Sequence, residues 1–247
     1  MKPFTLALPM LAVTLLAMPA RAQITSPGQT GLNAAMTKLF GDVTAFSART
    51  EVRMLDKQDK ESMRMTMNFA LLDGKMRAEI DLAQIKTADM PPEAAASLKQ
   101  MGMDKMVSIV RPDRKSTLVV YPSLSAFAEV PMSPEDAADL EKKYKVTRTK
   151  AGRETIDGHP CDKSKVMVIG DKNEKHEAIV WTATDMKDFP IQMQMNQAEA
   201  TIVMLYKDVK LTKPEAKQFD APAGFAKHES IEKLMQGAML KAFGGAK

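Results

Sequence analysis

Apolar and polar residues alternate along much of this chain, most clearly between residues 63 and 82. Met63, Met65 and Met67 alternate with charged or polar residues, and the same period resumes after the pair Asp73-Gly74. A period of two predicts strands that bury one face. Because an Asp-Gly pair at a chain reversal is typical of a tight turn, the segment is predicted to be an antiparallel hairpin.

Comparable alternation or apolar runs recur along the chain and predict about ten strands. The predicted strands are residues 46–54, 63–71, 76–82, 107–111, 116–121, 145–156, 163–169, 177–183, 191–196 and 201–211. Turn signals such as Pro112-Asp113 and Asp157-Gly158 separate several of them. Short connections between strands favour an antiparallel meander with one wet face and one apolar face.

Four segments carry the spacing or the end signals of helices instead. Residues 32–40 and 231–243 repeat apolar residues every three to four positions, which is typical of a helix with one buried face. Residues 91–103 are alanine-rich, and Ser133 followed by Pro134 is typical of a capped helix start. The predicted fold is therefore mainly β (α+β), a curved antiparallel sheet with amphipathic helices over its apolar face.

The N-terminus has the features of a secretory signal peptide. A positive start at Lys2 precedes a short apolar run, which ends in small residues up to Ala22. We expect residues 1–22 to be removed by cleavage after Ala22. A polar leader over residues 23–30 and a single domain over residues 31–247 are expected to follow. The predicted location is the periplasm.

The charge balance argues against nucleic acid as a partner. The full chain has a formal net charge of +4, and loss of Lys2 and Arg21 with the signal peptide leaves 33 basic and 31 acidic residues. No basic block or aromatic-basic surface pattern accompanies this small excess. We expect no nucleic-acid partner and a monomer, and a dimer linked through the lone Cys161 is the alternative that the sequence leaves open.

Methionine is unusually abundant, with 21 residues against nine phenylalanines. Its flexible, polarizable side chain suits either an irregular core or an adaptable apolar binding surface. Its thioether sulfur also binds copper, for which His159, Cys161 and His176 are the available partners. Because the methionine alternation continues into Phe69, a buried apolar face is favoured, and no metal or other cofactor is expected.

The sequence contains no arrangement that is typical of catalysis. A Gly-x-Ser-x-Gly elbow, a His-Glu-x-x-His pair, a Cys-x-x-Cys pair and a Gly-rich phosphate loop are all missing from it. Cys161 is a single thiol in a chain with three histidines, and the simpler interpretation is that it packs as an unreactive structural residue. We therefore expect a protein that is not an enzyme and has no catalytic residues.

Three segments resemble a known superfamily of exported proteins. Residues 152–163 resemble the central hairpin of the LolA/LolB-like lipoprotein-carrier superfamily, and residues 181–191 resemble the strand, turn and strand after it. Residues 213–225 are similar to its closing element. The resemblance spans roughly residues 32–243 and is nearest to an uncharacterised exported subgroup.

The resemblance implies a half-open antiparallel β-barrel of about ten strands, with helices as a lid over an apolar cavity for acyl chains. The hypothesis is a soluble periplasmic protein that binds a lipid or the acyl chain of a lipoprotein, with an envelope membrane protein as a further partner. An envelope sensor or scaffold domain that binds a protein is the alternative. Plain core is the competing interpretation of the predicted cavity residues, which are Met63, Met65, Met67, Phe69, Met76, Ile80, Ile191, Met193, Met195, Leu234, Met235 and Met239.

Overall fold

The computed structural model describes residues 37–87, 91–170, 173–197 and 200–243. The predicted signal peptide, the leader and the first part of the helix predicted at residues 32–40 lie outside these ranges. Within the ranges, the chain forms one large open sheet flanked by helices. The mainly β, half-open fold class is therefore confirmed.

The sheet contains thirteen strands of the described residues. They are β1 Ala45–Leu55, β2 Glu61–Leu72, β3 Lys75–Asp81, β4 Lys86–Thr87, β5 Lys105–Arg111, β6 Ser116–Tyr121, β7 Ala126–Pro131, β8 Lys145–Ile156, β9 His159–Ile169, β10 Lys175–Ala183, β11 Phe189–Asn196, β12 Thr201–Lys210 and β13 Ala226–His228. Their order is β13-β7-β6-β5-β3-β2-β1-β12-β11-β10-β9-β8, with β4 paired to β2. β13 and β7 are parallel, whereas the pairings along β7 to β8 are antiparallel. The sheet ends at β13 and at β8, so it is open.

The two predicted Asp-Gly turns form as expected. Asp73 and Gly74 have φ of +49° and +83°, and Asp157 and Gly158 have φ of +50° and +86°. Positive φ at both central residues is the two-residue hairpin geometry whose twist matches the flanking strands. The turns therefore fix the registers of the β2–β3 and β8–β9 hairpins, in which Leu72 pairs with Lys75 and Ile156 with His159.

Three α-helices lie in the described residues: α1 Pro92–Gln100, α2 Pro134–Glu141 and α3 Ile231–Phe243. The predicted cap of α2 is present, since the Ser133 side chain accepts a hydrogen bond of 3.0 Å from the Asp136 backbone N–H. Within the predicted helix at residues 32–40, the described part contains a short 3₁₀ helix, Lys38–Phe40. Its Leu39 and Phe40 side chains are buried.

Aromatic rings show that one face of the sheet is concave. Phe46 on β1 and Phe189 on β11 are separated by the intervening strand β12, a distance of about 10 Å along the sheet. Their ring centroids are nevertheless only 4.9 Å apart. Phe69 on β2 and Tyr206 on β12 likewise flank β1 and approach to 6.3 Å. Such convergence across an intervening strand is favoured when the sheet curves toward the face that carries these side chains.

Helix α3 packs on this same concave face. It forms a cluster with Ala128 of β7 and Val119 of β6. Val119 pairs with Ser108, Ser108 with Ala78, and Ala78 with Phe69. Because directly paired residues of antiparallel strands point to one face, all of these side chains share the concave side. The arrangement of a helix over the concave face is therefore present at the β7 end of the sheet.

Candidate functional site

Methionines from four adjacent strands form a continuous apolar area on the concave face. Met54 pairs with Met63 and Met193 pairs with Met204, so each pair points to one face. Val52 pairs with both Met65 and Met204, which places the two pairs on the same face. We define the methionine patch as Met54, Met63, Met65, Met67, Met193, Met195 and Met204, on β1, β2, β11 and β12.

The methionine patch changes from buried to accessible across the sheet. Met193 and Met204 are 0% and 1% exposed. Met54, Met63 and Met65 are only partly buried. They lie toward one end of the β1–β2 pair, and Phe46 lies toward the other end. The patch therefore has a closed inner part and an open outer part, both apolar and both built from flexible side chains.

An aromatic cluster closes the concave face beyond the methionine patch. It consists of Phe40, Phe46, Phe69, Phe189 and Tyr206, whose ring centroids lie between 4.9 and 6.5 Å from one another in nine pairs. Offset and edge-to-face pairs at such distances are favourable packing arrangements. The 3₁₀ helix contributes Phe40 to this cluster, so it closes one end of the concave face.

One residue of the aromatic cluster, Tyr206, and its paired neighbour Thr50 carry hydroxyl groups without a hydrogen-bond partner among the described residues. Thr50 and Tyr206 are directly paired residues of β1 and β12, and both are 0% exposed. Among the described residues, neither Thr50 Oγ1 nor Tyr206 Oη has a hydrogen-bond partner. Burial raises the pKa of the Tyr206 phenol far above its usual value, so the group stays protonated and remains a donor.

Most predicted cavity residues lie together on the concave face. Seven of them are members of its largest core cluster: Met67, Phe69, Met76, Ile80, Ile191, Met193 and Met195. Met65 packs against that cluster, and Met63 is partly buried and pairs with Met54 of the methionine patch. The structure thus brings the predicted residues of β2, β3 and β11 together. Their role in binding a ligand remains a prediction.

The predicted lid residues of α3 point in different directions. Leu234 is 1% exposed and packs on β6 and β7, in a separate cluster from the methionine patch. Met235 and Met239 are 41% and 51% exposed. The apolar stripe of α3 is wider than its contact with the sheet, where Leu234 and Ala238 supply the buried contacts. Met235 and Met239 therefore lie outside the buried contact of α3 with the sheet, and their role in binding a ligand remains a prediction.

The sequence interpretation missed four residues of this site. Met54 and Met204 complete the methionine patch, and Thr50 and Tyr206 carry the unpartnered hydroxyls. The alternation through β1 indicated Met54 and Thr50, because both are an even number of residues from Phe46 and therefore lie on the same face of the strand. No sequence signal distinguishes a hydroxyl that lacks a partner, because that property depends on the contacts of the folded chain.

The motif at residues 152–163 forms a separate polar cluster at the β8–β9 turn. Glu154 accepts hydrogen bonds from Lys163 Nζ at 2.6 Å and from Trp181 Nε1 at 2.9 Å, and these bonds lower the pKa of its carboxyl. Lys163 Nζ also lies 5.0 Å from the centre of the Trp181 ring. These contacts tie β8, β9 and β10 together, which is a structural role for the motif.

Cys161 adjoins this polar cluster and lines an open surface cavity of about 470 Å³. The residue is only 3% exposed, and its thiol donates a hydrogen bond of 3.3 Å to the carbonyl of His159. Burial raises the pKa of the thiol, so the unreactive protonated form is favoured. This environment is typical of a structural cysteine.

The described part of the chain lacks a metal-binding cluster and a membrane-spanning helix. No group of three or more His, Cys, Asp or Glu side chains is arranged there to hold a metal ion. Among the helices of that part of the chain, none has the length and apolar character needed to cross a bilayer.

The fold and the site together define an open, curved β-sheet protein with a methionine-lined concave face. The chain belongs to the DUF4412 family, described as a domain of unknown function, whose model matches residues 51–189. No curated protein matches the chain in sequence.

Several solved structures are similar to this one at low sequence identity. The Mycobacterium tuberculosis lipoprotein LppX is 12% identical with a TM-score of 0.41, over 71% of this chain and 91% of LppX. The LolA superfamily protein NE2245 from Nitrosomonas europaea is 11% identical with a TM-score of 0.35, over 76% and 94%. A putative outer membrane lipoprotein-sorting protein domain from Vibrio parahaemolyticus is 14% identical with a TM-score of 0.35, over 74% and 92%.

Proposed function

We propose that this protein is exported to the periplasm and binds the acyl chain of a lipid or lipoprotein on the methionine patch. The observation that carries the proposal is the patch itself, an apolar area on a concave face that is buried at its inner part and accessible at Met54, Met63 and Met65. A surface of this shape shields an extended apolar ligand on one side and leaves a route for its entry. The proposed activity is binding, without catalysis.

The energetics favour an acyl chain as the ligand. Each CH₂ group removed from water contributes about 0.8 kcal/mol, so burial of about a dozen methylenes contributes about 10 kcal/mol, within the range of the cost of association. Methionine side chains have three rotatable bonds and adapt to irregular apolar shapes. The methionine patch is therefore suited to chains that differ in length and branching.

Native mass spectrometry of the protein purified from its own periplasm tests this proposal. We expect a mature chain that begins at Gln23, with an adduct of lipid mass that organic extraction removes. A bare chain that also takes up no added phospholipid or acylated peptide would contradict the proposal.

The substitution Met65→Asp tests the position of the ligand. A carboxylate on the half-buried part of the patch must be desolvated when an acyl chain binds, so we expect at least about a tenfold loss of lipid capture. Thr66→Asp is the matched control, because Thr66 is the next residue of β2 and lies exposed on the opposite face. Equal lipid capture by both variants, at equal thermal stability, would place the ligand elsewhere.

A second candidate function, the binding of a partner protein, is favoured by the edge strand β8. Eleven of its twelve residues are exposed, and the sheet order ends with it. Lys145, Arg148, Lys150 and Arg153 outnumber its one acid, Glu154, so the partner that fits is an extended acidic segment that adds a strand. Edge lysines also discourage pairing with neutral strands, which makes an acidic character a requirement.

Fluorescence anisotropy with a labelled acidic peptide of alternating Glu and Val tests this second function. We expect binding that weakens about tenfold or more in the variant Lys145→Glu/Lys150→Glu and is unchanged in Lys187→Glu, on the β10–β11 turn. Absence of binding, or equal binding by both variants, would remove the second candidate.

A further inference from the structure

Tyr206 and Thr50 present an unexplained pair of hydroxyls inside the candidate site. Both residues are fully buried on the concave face, and neither hydroxyl has a hydrogen-bond partner in the described part of the chain. Leaving a buried hydroxyl unpaired costs about 1–3 kcal/mol. Buried polar groups in folded proteins are nearly always paired, so two orphan hydroxyls on directly paired residues indicate a partner other than the described residues.

The position of the pair connects it to the methionine patch. Thr50 pairs with Met67 on one side and with Tyr206 on the other. Along β12, Tyr206 follows Met204 by two residues and so lies on the same face. An apolar ligand that lies along the patch from Met65 inward would therefore approach the paired residues Thr50 and Tyr206.

The surroundings of the pair determine the charge of the group that it can bind. The rings that contact Tyr206 belong to Phe40, Phe46, Phe69 and Phe189, which carry no charge. A carboxylate or phosphate placed among them would be desolvated without a counter-ion, at a cost that two hydroxyls do not offset. Because the phenol remains protonated, it serves as a hydrogen-bond donor toward a neutral acceptor.

We propose that the ligand of the methionine patch carries an uncharged carbonyl, of an ester or an amide, which accepts a hydrogen bond from Tyr206 Oη and lies beside Thr50 Oγ1. This inference rests on the proposed function and adds the chemical class of the ligand to it. Free fatty acids and phosphate headgroups are excluded from the inner end of the site, whereas ester-linked or amide-linked acyl chains are accepted there.

Competition against a bound apolar dye, 1-N-phenylnaphthylamine, tests the inference with two probes. Methyl laurate carries an ester carbonyl, and n-pentadecane is a hydrocarbon with the same number of heavy atoms. We expect the substitution Tyr206→Phe to lower the affinity for methyl laurate about 5- to 10-fold, which is the range expected for the loss of one hydrogen bond between neutral groups. Pentadecane affinity is expected to stay the same or improve. Thr50→Val is expected to act in the same direction with a smaller change.

Ser108→Ala is the matched control for these variants. Ser108 is also buried and unpartnered on the concave face, but it lies on β5, separated from β12 by β3, β2 and β1. We expect the control to leave both probe affinities unchanged. Because Tyr206→Phe removes an unpaired hydroxyl and keeps the ring, it is also expected to melt at or above the wild-type temperature, which reports folding independently.

The outcomes separate this inference from the proposed function. If neither probe displaces the dye from the wild-type protein, the proposed function fails. If both probes bind the wild-type protein and Tyr206→Phe changes their affinities by the same factor, the proposal of acyl-chain binding is retained. The proposed hydrogen bond to a ligand carbonyl is then wrong. An internal water on the two hydroxyls would give this second result.

Discussion

At the residue scale, burial determines how the single cysteine behaves. Cys161 lies in a sequence motif and near His159, an arrangement that raises the question of a nucleophile or an intermolecular disulfide. The thiol is instead buried and donates a hydrogen bond to a backbone carbonyl, and burial raises its pKa. A nucleophile and an intermolecular disulfide both need an accessible thiolate, so the structure favours an unreactive cysteine that packs in the core.

Thiol labelling of the native protein checks this conclusion. With the pKa raised, the thiolate fraction at neutral pH lies below that of a free cysteine. We expect iodoacetamide to modify Cys161 at least about tenfold more slowly in the native than in the denatured protein. Rapid native labelling, or a dimer band that disappears on reduction, would contradict the buried assignment.

At the element scale, the sequence predicted strands well where only one face is buried. The alternation in β1, β2, β3 and β11 follows directly from their half-buried positions, and their methionines were correctly assigned to one face. β7 was missed because its buried residues Ala126, Phe127 and Ala128 show no period of two and its alanines have low strand propensity, unlike the β-branched residues of the equally buried β6. β4 and β13 have two and three residues, too few for any period. The exposure of Met235 depends on how much of α3 the sheet contacts. The spacing of apolar residues along the helix does not indicate the width of that contact.

The short strand β13 is held to β7 by an ion pair that titrates. Lys227 Nζ lies 2.7 Å from Glu129 Oε2, and Ser116 Oγ donates to Glu129 Oε1 at 3.1 Å. The hydrogen bond from Lys227 lowers the pKa of Glu129 below its usual value. A lowered pKa in the folded state means that the stabilisation is complete above the unfolded pKa and is lost as the pH falls through the folded pKa.

Hydrogen exchange of β13 and α3 checks this pH dependence. Because the pair is partly exposed, we expect Glu129→Gln to cost at most about 1 kcal/mol, with faster exchange confined to β13 and α3. The wild-type protein should show the same change as the pH is lowered into the acidic range where Glu129 protonates. Glu135→Gln on α2 is the control. Unchanged local exchange in Glu129→Gln would show that the pair does not anchor β13.

At the scale of the whole molecule, the strand order divides the chain into two meanders. Residues 45–131 form one and residues 145–210 form the other. Apart from β4, which pairs with β2, each consists of strands that follow one another in sequence, and the pairing of β1 with β12 joins the two. That junction pairs strands that lie far apart in the sequence, and long-range pairing of this kind forms slowly because it costs loop-closure entropy. The proposed ligand would lie across it, since Met54 and Met65 belong to the first meander and Met193 and Met204 to the second. The binding free energy would therefore add to the free energy that joins the two halves, so an acyl chain would act as part of the protein's own core and loading would be coupled to completion of the fold.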